Sequence, residues 1–93
     1  MIKTFACKET DKLFNRITTS KIPTTIQRTA RRKLEILDAA GVLHDLGIPP
    51  SNCLKKLSGN RQGQYSIRIN DRYRICFIWE SGDVYNVEIV DYH

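Results

Sequence analysis

The residues of this chain best suited to chemistry gather toward its C-terminal end. Arg68 and Arg74 flank a short polar segment, the chain closes on Asp91, Tyr92 and His93, and Lys55, Lys56 and Arg61 lie a little upstream. Arginine suits phosphate because its planar fork can bond two oxygens at once. Histidine changes charge near neutral pH, and tyrosine can give up a proton or stack on a base. Together these groups could break a phosphodiester in RNA. One of them would take the proton of a ribose 2′-hydroxyl, the cationic forks would stabilise the crowded phosphoryl centre, and an acid would protonate the departing 5′-oxygen. That route needs no metal and no other cofactor.

Such residues act together only if the backbone brings them together. From Tyr65 onward, alternating β-branched and aromatic residues broken by polar turns predict three successive strands. Residues paired across strands must share a face. With Tyr65, Ile67 and Ile69 inward, and Tyr73, Ile75, Phe77 and Trp79 likewise, the loop Asn70, Asp71, Arg72 pairs Ile69 with Tyr73 and Ile67 with Ile75. On the outward face Arg68 then stands opposite Arg74. Like charges across a sheet are unfavourable by about 0.2 to 1 kcal/mol, so the pair suggests an exposed face meant to receive an anion. With Tyr85, Val87 and Ile89 inward, a Glu80 to Gly82 loop sets Glu88 opposite Arg74, and a longer loop sets Val90 there. In both registers Tyr92 shares the arginine face while Asp91 and His93 point the other way.

The rest of the chain supplies a core and more positive charge. Its 93 residues make one domain, residues 1–93, with 41% hydrophobic and 27% charged residues and a net charge of +5. That balance points to an anionic partner such as nucleic acid or an acidic protein. No apolar run approaches a spanning helix and no signal peptide is evident, so a cytoplasmic chain without membrane contact is expected. Cys7, Cys53 and Cys76 are an odd set with no metal-binding spacing, and no metal site is expected. Ile2 to Ala6 could add a strand, and Lys8 to Thr18 reads as a short amphipathic helix. A second helix follows Pro23, with Thr24 and Gln27 as a capping box, Ile26, Ala30, Leu34 and Leu37 inward, and Gly41 as a stop. Arg28, Arg31, Arg32 and Lys33 are assigned to its outward face, either solvated or docked on RNA or an acidic partner. The stretch Gly41 to Asn52 is a long connection over the core edge, and His44 reads as a loop residue. Cys53 to Leu57 reads as a short strand. Gly59 and Gly63 then mark the loop that carries Arg61 toward the arginine pair.

The segment Gly63 to Phe77 and the ending Val87 to His93 closely resemble the HigB-type toxins of the RelE/ParE superfamily, as do Pro49, Pro50, Leu54 and Leu57 to Arg61. The resemblance implies an α+β fold in which two N-terminal helices pack on a mainly antiparallel twisted sheet. It implies a toxin that cuts translated mRNA in the ribosomal A site, and a cognate HigA-like helix-turn-helix antitoxin. Arg74 matches the sheet arginine that holds the scissile phosphate in ribosome-dependent relatives, and Arg68 a second basic position. Asp91, Tyr92 and His93 match the acidic, aromatic and histidine residues that close the HigB pattern, with the base and the acid among them left open. Lys55 and Lys56 match basic residues that face RNA. The reading from a different class is a non-catalytic gyrase inhibitor like the ParE branch, which would have no use for a terminal Asp-Tyr-His.

Overall fold

Four strands form one antiparallel sheet in the order β1 (Lys55–Lys56), β2 (Tyr65–Arg68), β3 (Tyr73–Glu80) and β4 (Asp83–Asp91). The computed structural model describes residues 1–91; Tyr92 and His93 lie outside the described residues. Two helices, α1 (Lys8–Phe14) and α2 (Thr24–Ala39), cover one face of the sheet. Ile26, Ala30, Leu34 and Leu37 of α2 meet Ile67, Ile75, Phe77 and Val87 in the core. Leu46 closes the edge of that core from the 3-10 turn Leu43–Gly47, and a second 3-10 turn, Pro50–Asn52, follows it. Among the described residues no helix is long and apolar enough to cross a membrane.

The first hairpin has the expected register. Ile67 pairs with Ile75, Arg68 with Arg74 and Tyr65 with Phe77. Its loop is held by Asn70, whose side-chain oxygen accepts the backbone N–H of Arg72 at 2.9 Å and of Tyr73 at 2.8 Å. Such a side-chain turn is a local preference of asparagine.

The second hairpin places Val90 opposite Arg74, but by a route other than a longer loop. Glu80 pairs with Asp83 across a two-residue turn, with φ 51° at Ser81 and 87° at Gly82. Two left-handed residues make the turn whose twist matches the flanking strands. That turn alone would set inward residues opposite outward ones further along. One extra residue in β4 between its pairings with Ile78 and Cys76 restores agreement, and Asn86 there has φ 54°. The bulge corrects the expected facing of Tyr85: Val84 enters the core, and Tyr85 lies opposite Ile78 on the other face.

The N-terminal segment runs parallel to β4 through isolated bridges, Ile2 with Val84 and Phe5 with Val87. The bulge lies between those bridges, and its N–H at Asn86 is bonded to Thr4 Oγ1 at 2.8 Å. Two isolated bridges stand where a full strand was expected. Helix α1 also stops earlier than the pattern suggests. Arg16 takes φ 60°, its N–H bonds Leu13 O at 3.2 Å and that of Ile17 bonds Lys12 O at 2.8 Å, a left-handed closure that satisfies the last carbonyls.

No capping box forms on α2. Thr24 is already helical, Pro23 is the capping position, and Gln27 Nε2 instead donates to Thr19 O at 3.1 Å and Ile22 O at 2.7 Å. The glutamine stitches the joint between the helices. At the other end the helix breaks at Ala40, whose backbone is extended, one residue before Gly41.

Candidate phosphate-binding site

Strand alternation puts Lys55, Ser66, Cys76 and Glu88 in one row of the helix-free face, with Arg68, Arg74 and Val90 in the next. The expected arginine pair is therefore formed by the backbone. Its two side chains then part. Arg74 is buried, with 9% of its surface exposed, which corrects the expectation of an open position. Its guanidinium folds back across β2, donating from Nε to Ser66 Oγ at 2.8 Å and from Nη2 to the Cys53 carbonyl at 2.6 Å. Arg68 turns outward and pairs with Asp71 in the hairpin loop.

The partners of Arg74 are all neutral. Among the described residues no carboxylate forms an ion pair with it. A buried cation with unbalanced charge costs several kcal/mol. The fork is oriented by Ser66 and by the carbonyl. Cys53 presents that carbonyl from a left-handed conformation, φ 45°, directly after the turn Pro50–Asn52.

The remaining basic residues divide. Lys55 and Lys56 are exposed on the short edge strand β1. Lys55 faces the arginine side, whereas Lys56, opposite Tyr65, faces the other. Arg61 bonds Glu88 at 2.8 Å and Gln64 at 3.1 Å, and so covers the buried Cys76. Burial pushes the Cys76 thiol above its ordinary value of 9.0.

Asp91 does not join the arginine face. It lies opposite Tyr73, its carboxylate bonded to Arg72 from Nε at 3.0 Å and from Nη2 at 2.8 Å. That bond, more than any other contact, shifts the Arg72 guanidinium upward from its ordinary value. Asp91 borders a hollow of about 320 Å³ lined also by Cys7, Glu9, Lys21 and Tyr73. The positions of Tyr92 and His93 in the predicted site fall outside the described residues.

Lys33 is the residue that the sequence pattern misplaces. It was assigned to the solvent face of α2 but is 6% exposed, and its ammonium donates to Asn52 Oδ1. Burial lowers its pKa below the usual 10.5, and nearby Arg32 and Arg68 lower it further. The signal was present in the spacing. Lys33 falls between Ala30 and Leu37 on the same stripe as Leu34, inside the arc that the inward residues define. The other helix cations border a wide groove of about 690 Å³ formed by Arg16, Arg28, Arg31 and Arg32 with Gln27 and Glu35.

Residues 3–93 match the HigB-like toxin family, described as the RelE-like toxin of type II toxin-antitoxin system HigB. The chain belongs to that family. Toxin HigB-1 of Vibrio cholerae serotype O1 is 49% identical to this HigB-like toxin over 65 residues, covering 70% of this chain and 68% of the relative. Endoribonuclease HigB of Proteus vulgaris is 32% identical over 93 residues, 100% of both chains. In backbone the HigB-like toxin resembles a chain of the heterotetrameric YoeB-YefM toxin-antitoxin complex from Staphylococcus aureus. The TM-score is 0.62 at 19% identity, covering 100% of this chain and 98% of that one. The expected fold, two helices on an antiparallel sheet, is the one observed.

Proposed function

We propose that this HigB-like toxin is a ribosome-dependent endoribonuclease that cleaves mRNA by attack of a 2′-hydroxyl and so blocks translation. The observation that carries the reading is Arg74, a buried guanidinium aimed by Ser66 and the Cys53 carbonyl, with no ion-paired carboxylate among the described residues. A fixed cation in a partly dry site is worth most where negative charge grows, as on a phosphoryl group under attack. Arg74 holds the scissile phosphate, and Arg68 adds a second fork once phosphate competes with its exposed partner Asp71. Proton transfer falls to His93, and Tyr92 protonates the leaving oxygen or stacks on a base. Asp91 assists from the opposite face, where its bidentate ion pair with Arg72 fixes the end of β4. Lys55 on the arginine face and Lys56 at the exposed edge meet the RNA backbone, as does Arg61 once phosphate competes with Glu88, since phosphates reward positive charge without reading sequence. A ribosome that holds the message in place supplies much of the orientation so small an enzyme lacks. The reaction places the toxin in the cytoplasm, restrained by a HigA-like helix-turn-helix antitoxin.

The test is incubation with translating ribosomes followed by mapping of message ends. New codon-linked cuts whose downstream fragments carry a 5′-hydroxyl are expected, and Arg74→Ala or His93→Gln should slow them by about a hundred-fold to a thousand-fold. Intact message with impaired DNA supercoiling would instead favour a gyrase inhibitor.

A further inference from the structure

Lys33 occupies a position where an apolar residue would be expected. It lies on the core stripe of α2, and desolvation opposes its charge. Its ammonium donates to Asn52 Oδ1, the amide of Asn52 donates to Leu46 O at 3.0 Å, and Asn52 is itself fully buried. Among the described residues no carboxylate forms an ion pair with Lys33. The helix thus spends a buried charge to grip one side chain of a three-residue turn.

That turn leads directly to the site. Asn52 ends the 3-10 segment Pro50–Asn52, and the next residue is Cys53. The Cys53 N–H bonds Pro50 O at 3.1 Å, and its carbonyl receives Arg74 Nη2 at 2.6 Å. The left-handed backbone at Cys53, φ 45°, is unfavourable for a side-chain-bearing residue and persists where its surroundings hold it. Anchors on Asn52 from Lys33 and Leu46 provide that hold. A continuous line of contacts therefore runs from the Lys33 ammonium through Asn52 and the Cys53 carbonyl to the guanidinium of Arg74.

We propose that Lys33 is a positioning residue of the phosphate site, fixing the Arg74 guanidinium through Asn52 and the carbonyl of Cys53. Its catalytic consequence rests on the nuclease reading above; the positioning itself does not. Lys33→Met keeps the unbranched apolar stem, one atom shorter, and removes the donor. In steady-state cleavage on ribosomes, kcat is expected to fall about ten-fold to a hundred-fold, the cost of a displaced catalytic group, with KM little changed. In an Arg74→Ala background the same change should add less than about two-fold, since coupled residues are not additive.

An independent readout is the Arg74 Nε–Hε resonance in NMR spectra of the free protein. It should be protected in the unmodified chain and move toward the position of a solvated arginine in Lys33→Met. Should that variant not fold, Lys33→Gln, which keeps a donor on a shorter chain, should move the signal the same way and lower kcat by at least about three-fold. An unmoved Arg74 signal in a folded variant, or an equal cost of Lys33→Met with and without Arg74, overturns the inference. If the unmodified protein cuts no message, the nuclease reading fails, and the resonance alone decides the role of Lys33.

Discussion

Replacing Arg74 by methionine separates a cation kept for a ligand from one kept for the fold. The substitution removes two good hydrogen bonds, to Ser66 Oγ at 2.8 Å and to the Cys53 carbonyl at 2.6 Å. Bonds to a charged group contribute about 1.5 to 3 kcal/mol each, so the loss is about 3 to 6 kcal/mol. Against it stands the desolvation of a guanidinium that no carboxylate among the described residues pairs, also several kcal/mol. The two nearly cancel, and Arg74→Met should unfold within about 2 kcal/mol of the unmodified chain in urea. Inorganic phosphate supplies the second half of the test. A ligand that binds the native state at a hundred times its dissociation constant stabilises by about 2.7 kcal/mol, and each kcal/mol moves the melting temperature of a domain this size by about 4 to 8 °C. Phosphate should therefore raise the melting temperature of the unmodified protein well beyond potassium chloride of equal ionic strength, and leave Arg74→Met unmoved. A loss above about 4 kcal/mol in the variant would mark Arg74 as a structural clamp. An equal phosphate response in both proteins would show that the anion binds elsewhere.

Four further outcomes follow from the geometry. Asn86→Gly should be neutral or slightly stabilising in urea melts, while Asn86→Val, a β-branched residue forced to φ 54°, should cost about 1 to 3 kcal/mol. Ellman's reagent should modify exposed Cys53 in the native protein and reach buried Cys76 after unfolding. Because burial raises the Cys76 thiol above 9.0, the unfolded chain loses that proton first as pH climbs. Native stability should thus fall as pH rises past 9.0, and Cys76→Ala should flatten that decline. Conversely, the Thr19 hydroxyl, with lesser help from Lys12 and Lys21, holds Glu9 below its usual 4.5. The stability this contributes is complete above 4.5 and fades as pH falls through the lowered value. Thr19→Val should weaken that acid dependence in pH-resolved melts.

Much of the site's framework was legible because strand alternation and turn chemistry are local. The loop Asn70 to Arg72 has a length and an asparagine that leave one parity for the first hairpin, and Arg68 duly meets Arg74. The second hairpin was ambiguous because parity there is repaired at a distance from the turn, by Asn86 with help from Thr4 on a segment far away in sequence. The same separation hid Lys33. Its type argued for solvent, its spacing for the core, and a buried partner from the later turn resolves the conflict.

The amino-acid sequence by itself determined which strands pair, which face carries the cations, and the family whose pattern the C-terminal residues follow, since alternation and motif are properties of neighbours along the chain. The tertiary structure decided what each cation does. Arg74 is drawn inward by Ser66 and Cys53, Arg68 outward by Asp71, Arg61 across the sheet to Glu88 and Asp91 to Arg72 on the far face. Such choices depend on how far each long side chain can reach and on which acceptors lie there, and many of those acceptors are supplied by segments distant in the chain.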